Sequence, residues 1–236
     1  MFLYGIIFDI GNVLIHPDGN RISQILFDTT GKHVPAPLCR KAFSFADHEI
    51  FQPNDPLRLR QDEPYAVVWG KHIGLDKSDS LRVWEHMERE SESVWGELDG
   101  YAIPLLQYLR LENIKVGALS NGTGDTEATL IKYGLRDFFD VVVDSAVVGI
   151  EKPDFRVYRE ALRLLDVDAQ QCCYVGDSPE EVWAPQQLGF GVSILVDPMD
   201  VYQDCPLFDL RVSSLLEVRQ IIGFRPHSIF RGTYDY

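Results

Sequence analysis

The feature that most constrains the fold is a series of short, continuous apolar runs. Residues 3–8, 114–119, 139–143, 172–175 and 192–196 are apolar at nearly every position, not at every second one. A strand with one wet face alternates, whereas a strand buried on both faces does not. The intervals between the later runs carry helix-spaced apolar residues at 101–112, 126–133, 155–165 and 180–188. Parallel neighbours need a crossover of about a dozen residues, and these intervals supply it. The alternation predicts an α/β fold with a doubly wound parallel sheet. With 236 residues, 45% of them hydrophobic, the chain has material for one large domain or one domain plus an insert.

The first interval differs. Residues 16–100 show no convincing strand and are broken by Pro17, Pro35, Pro37, Pro53, Pro56 and Pro64. Helix-like stretches remain at 21–30, 38–47, 57–73 and 78–96. The expected organisation is an α/β core from residues 1–15 and 101–223, an inserted helical cap from 16–100, and a C-terminal tail from 224–236. An insert after the first strand sits above the carboxyl ends of the strands, where open α/β sheets bind ligands. There it can act as a lid.

Composition narrows the partners. The net charge of −14 argues against nucleic acid as a general partner. A small phosphorylated ligand is compatible with it, because a local metal site overrides the global field. No run of 18 apolar residues appears, so no membrane span is expected. Residues 1–7 are apolar without a positive flank and read as a buried strand, not a signal peptide. Cys39, Cys172, Cys173 and Cys205 form no C-x-x-C pair, which suggests reduced core thiols and a cytoplasmic location. The sequence carries no indication of oligomeric state.

Four polar groups stand where the apolar runs end. Asp9 follows the first run, and a carboxylate there is costly unless it caps the next turn or does chemistry. Ser120, Asn121 and Gly122 follow the second; the hydroxyl and a permissive glycine suit either an anion or a polar turn. Lys152, before Pro153, reads alone as a solvated lysine. Asp177 follows the fourth run, and Ser178-Pro179-Glu180-Glu181 after it has the spacing of a capping box. That box accounts for Ser178 and Glu181 but leaves Asp177 unexplained.

Acid, hydroxyl, lysine and acid, in that order and at one edge of the sheet, resemble the haloacid dehalogenase-like hydrolases. The resemblance is to the subgroup with a helical cap after the first motif, including sugar-phosphate phosphatases that read D-x-G-N-V, as Asp9 to Val13 do here. It runs from about residue 2 to 216. It implies a phosphatase in which Asp9 attacks phosphorus and forms an aspartyl-phosphate, a carboxylate nucleophile splitting one hard displacement into two. It further implies that Ser120, with Asn121 and Gly122, binds the phosphoryl group and that Lys152 neutralises charge. Asp9, Asp177 and the Gly11 carbonyl would hold Mg²⁺, with Glu181 and Ser178 as possible outer partners. The implied substrate is a small phosphorylated metabolite.

One position departs from the pattern. The family's phosphatases carry a general-acid aspartate two residues after the nucleophile, and here that residue is Gly11. Three outcomes are open: a substrate whose leaving group needs little protonation, a proton from elsewhere (His16 and His48 by residue type), or a weakened protein that binds or regulates. A hydrolytic dehalogenase is the competing chemistry. It needs no metal and has no use for Asp177 beside acidic neighbours.

Overall fold

Gly5, Ile6, Ile7 and Phe8 form strand β1 (Gly5–Phe8), and all four are buried. Ile6 and Phe8 enter the core on one face of the sheet and Ile7 the core on the other, so the run has no reason to alternate. Each such side chain contributes about 1.5–3 kcal/mol by leaving water. The computed structural model describes residues 3–50, 63–203 and 208–223. After β1 come β2 (Ile15–His16) and helices α1 (Gly19–Thr30), α2 (Ala36–Ile50), α3 (Tyr65–Lys71), α4 (Lys77–Arg89) and α5 (Ser91–Val94). Next are β3 (Glu97–Leu98), α6 (Ala102–Leu111), β4 (Lys115–Ser120), α7 (Thr126–Lys132), β5 (Val141–Asp144) and α8 (Ser145–Val148). The chain continues with α9 (Phe155–Leu165), β6 (Cys172–Gly176), α10 (Pro179–Gln187), β7 (Val192–Val196), β8 (Leu210–Val212) and α11 (Leu215–Gly223).

Six strands form one sheet in the order β5-β4-β1-β6-β7-β8, with every pairing parallel. Helices α6 and α11 cover one face and α9 and α10 the other, as a doubly wound sheet requires. The chain leaves β1 for β4 and β5, then returns to β6 on β1's other side. This reversal opens a crevice at the carboxyl end of β1, where open α/β sheets bind ligands.

Helices α1 to α4, with Val94 of α5, share a separate apolar core built on Ile22, Leu26, Phe43, Trp69 and Val83. Phe43, Trp69 and Trp84 pack ring against ring, with centroids 5.7–6.1 Å apart, so these tryptophans serve packing. The insertion is not free of strand: Ile15 and His16 pair antiparallel with Leu98 and Glu97 where it leaves and rejoins the core. The stretch expected as one helix over 78–96 is divided between α4 and α5. Of the helix expected over 57–73, the described part is Tyr65–Lys71. β8 and α11 were not anticipated. Phe2, Cys205 and the tail at 224–236 lie outside the described residues; Cys39, Cys172 and Cys173 are buried, free thiols. No described helix is long and apolar enough to cross a membrane.

Candidate active site

Asp9 lies one residue beyond β1, and the sheet fixes its place. Its N–H donates to the Val175 carbonyl of β6 at 2.8 Å. Its carboxylate accepts from the Ile10 N–H at 2.7 Å and from Lys152 Nζ at 2.8 Å. The same Nζ reaches Glu181 Oε2 at 2.7 Å. The Lys152 side chain is only 1% exposed, so this ammonium has exchanged water for two carboxylates. Burial works against its charge, but Asp9 and Glu181 outweigh burial and hold its pKa above the usual lysine value.

The Lys152 backbone is clamped. Its N–H donates to Asn121 Oδ1 at 2.8 Å, and its carbonyl accepts from Asn121 Nδ2 at 3.1 Å. The Asn121 side chain is thus engaged in positioning Lys152, which leaves its backbone N–H for the expected role in the Ser120–Gly122 turn. Pro153 does not open the next helix: Asp154 caps α9 by accepting from the Arg156 N–H. Ser120 ends β4, two residues past Ala118, which pairs with Phe8. Asp177 follows β6, two residues past Val175, which also pairs with Phe8. Ser120 and Asp177 therefore flank the crevice beyond Asp9. At Gly122 an added Cβ would come within 2.5 Å of Asp144 Oδ2 and Thr126 Oγ1, so only glycine fits that turn.

Asp9, Asp177 and Glu181 each offer a carboxylate oxygen within 4.8 Å of the other two. Burial first, then Asp9 and Asp47, push the Asp177 carboxyl well above the ordinary range; Lys152 and a hydrogen bond from Asn12 offset this only partly. Glu181 is raised likewise by burial, against the pull of Lys152. One lysine does not balance one buried and two half-buried carboxylates, so the donor set suits a further cation. Oxygen-only donors around the Gly11 turn match the hard-ligand preference of Mg²⁺.

The capping box is not formed. Ser178 holds the N-cap position of α10 but makes no side-chain cap bond; its hydroxyl goes to Glu180. Glu181 turns to Lys152 because a buried ammonium is a stronger partner than a terminal N–H. Tyr158 Oη donates to the Glu181 carbonyl at 3.0 Å, and Tyr174 Oη lies 3.4 Å from Glu181 Oε2. Neither tyrosine stands out in the sequence, since each has the look of an ordinary core residue, and Asn12 enters there only as part of the D-x-G-N-V wording.

The insertion closes over this cluster. Asn12, His16, Arg40, Ser44, Asp177 and Tyr202 surround a cavity of about 20 Å³, room for roughly one water. His16 is held by Asp99 at 3.0 Å. His48 is exposed, its ring edge-on to Tyr202. At Gly11 an added Cβ would meet only ring atoms of Trp95, at 3.5 and 3.7 Å.

A family model for haloacid dehalogenase-like hydrolases matches residues 5–189. A glyceraldehyde 3-phosphate phosphatase from Methanothermobacter thermautotrophicus is 38% identical over 183 residues, covering 68% of this chain and 76% of that one. One from Methanopyrus kandleri is 40% identical over 76 residues, covering 32% of this chain and 33% of that one. Several of the curated relatives are thus matched over less than half their length. Among solved structures, the Bacillus subtilis hydrolase YfnB, bound to magnesium, aligns over 94% of this chain and all of its own, at TM-score 0.67 and 16% identity. The L-2-haloacid dehalogenase of Xanthobacter autotrophicus aligns over 94% and 99%, at TM-score 0.61 and 16% identity. Both likenesses speak to fold alone. By the family match and the acid–lysine cluster at its sheet edge, this chain is an enzyme of the haloacid dehalogenase-like hydrolase family.

Proposed function

We propose that the protein is a Mg²⁺-dependent phosphomonoester hydrolase acting on a small phosphorylated metabolite of the sugar-phosphate class, through an aspartyl-phosphate on Asp9. The observation that carries this reading is the buried Lys152 bridging Asp9 and Glu181, with Asp177 in the same cluster. A nucleophilic carboxylate must approach a phosphate dianion, and positive charge must offset the repulsion between them.

Asp9 Oδ attacks phosphorus, the bond to the leaving oxygen breaks, and water then cleaves the acyl phosphate to free Asp9. Lys152, 2.8 Å from the Asp9 carboxylate, neutralises charge on the transferring group. The Ser120 hydroxyl and the backbone N–H groups of Asn121 and Gly122 hold phosphoryl oxygens. Asp9, Asp177 and the Gly11 carbonyl would hold Mg²⁺, with Glu181 beside them; the ion supplies Lewis-acid charge that lets two anions meet. In this reading residues 16–100 are a cap that must move for substrate to enter. The named activity of the glyceraldehyde 3-phosphate phosphatases supports a phosphorylated metabolite as substrate. A cytoplasmic location is consistent with the three buried free thiols.

The test is phosphate release from a panel of sugar phosphates and other phosphomonoesters, with Mg²⁺ and after chelation. Metal-dependent turnover is expected, and Asp9→Asn is expected to abolish it while leaving the fold intact. Halide release from 2-haloacids that persists after chelation would instead establish a dehalogenase.

A further inference from the structure

Position 11 leaves a chemical gap, and the insertion faces it. Arg40, Ser44, Asp47 and His48 recur at helix spacing along α2, so they share one side of it. Arg40 and Ser44 line the small cavity together with Asn12 and Asp177. Tyr202 Oη donates to the Ser44 carbonyl at 3.2 Å, fastening this side of α2 to the core. Asp47 lies one turn beyond Ser44 on the same side, and its carboxylate is hydrogen-bonded to Tyr65. Its charge is felt at Asp177, at Glu180 and at Tyr202, and the charge of Asp9 is felt at Asp47. Three residues past Ser44, Asp47 lies on the side of α2 that closes the cavity beside Asp177.

Building on the phosphatase reading above, we infer that Asp47 is the general acid and base of the reaction, supplied by the insertion in place of the aspartate absent at position 11. As the P–O bond breaks, the Asp47 carboxyl gives its proton to the leaving oxygen, releasing the alcohol. As water attacks the phosphoryl-Asp9, the Asp47 carboxylate takes the water proton, inorganic phosphate departs and both residues return to their starting forms. Burial, reinforced by Asp9 and opposed by Tyr65, raises the Asp47 carboxyl to about 7, near the value that suits a group working in both directions. The other candidates fit less well. His16 is tied to Asp99, and His48 is exposed.

The experiment compares kcat/KM for p-nitrophenyl phosphate, whose leaving group departs readily as an anion, with kcat/KM for alkyl phosphates, whose leaving group needs a proton. This ratio reports phosphoryl transfer to Asp9 and excludes the later hydrolysis. Asp47→Asn is expected to lose about a hundredfold or more on alkyl phosphates and a far smaller factor on p-nitrophenyl phosphate. Adding Gly11→Asp to that variant is expected to recover the alkyl activity, since a side chain at 11 has space beside Trp95. Equal losses on both substrates, or none, overturn the role of Asp47 while leaving the phosphatase reading intact. Absence of turnover by the wild-type chain on both overturns the phosphatase reading, and this inference with it. If Asp47→Asn does not fold, the wild-type chain decides: weak dependence of kcat/KM on leaving-group basicity supports a proton donor, and steep dependence overturns it.

Discussion

The tips of β5 and β6 each end in a buried or half-buried aspartate, and the two behave in opposite ways. Asp144, at the end of β5, accepts from the N–H groups of Gly124, Thr126 and Ala146 and from the Thr126 hydroxyl. Burial pushes its carboxyl up, but these donors outweigh burial and hold it below the ordinary range. Asp177, just past β6, has the Asn12 side chain as its hydrogen-bond partner and stands among other acids, so burial wins and its carboxyl rises. Position at a strand tip is therefore no guide to role. What separates a structural carboxylate from one held ready for a cation is the supply of donors around it.

The comparison can be broken by substitution. The largest expected effect is at the lysine that keeps the β6 side tolerable. Lys152→Met strands Asp9 and Glu181 as buried, unpaired acids and should cost about 3–5 kcal/mol in urea unfolding, with loss of turnover. At the β5 tip, Asp144→Ala leaves several loop donors without a partner and should cost about 3 kcal/mol, read as a lower melting temperature with or without Mg²⁺. Asp177→Asn should do the reverse, raising metal-free stability by about 1–2 kcal/mol because a strained charge is removed. It should also abolish the rise in melting temperature expected when Mg²⁺ is added to the wild type. If Asp177→Asn destabilises the metal-free chain instead, the contrast between the two tips is wrong.

The pH dependence should carry both signs. Asp144 binds its proton less tightly folded than unfolded, so its contribution is present at neutral pH and lost as pH falls through the acid range. Asp177 and Glu181 bind theirs more tightly folded, so metal-free stability should fall as pH rises above the ordinary carboxylate range. Unfolding midpoints in chelator at pH 5 and pH 8 measure this second slope, and Asp177→Asn should flatten it. The smallest expected effect is that of Asn121→Ala. It removes the two bonds clamping the Lys152 backbone and should cost about 1 kcal/mol, with a lower kcat as the ammonium loses its place.

The legible parts of the molecule are those set by local pattern. The run from Gly5 to Phe8 is buried on both sides, so its composition alone marks a central strand. Asp9 and Asp177 stand out because a charge that ends an apolar run is visible in one dimension, whereas Lys152 alone reads as a solvated lysine and is singled out only by the family resemblance. β8 escapes notice because two of its three residues are exposed, and the Ile15–His16 pairing because two residues carry no period. The capping-box spacing at Ser178 is present in the sequence, but a local rule yielded to a buried ammonium 29 residues away.

By itself, then, the sequence determined the parallel sheet, the helices that follow its first strand and the acidic groups at the strand tips, since each follows from burial periodicity within a short window. Tertiary structure alone decided that Glu181 serves Lys152, that Asn121 clamps Lys152's backbone, and that Arg40 and Ser44 of α2 line a cavity with Asp177. Those roles depend on desolvation and on distances between residues far apart in the chain, and neither quantity exists until the core closes.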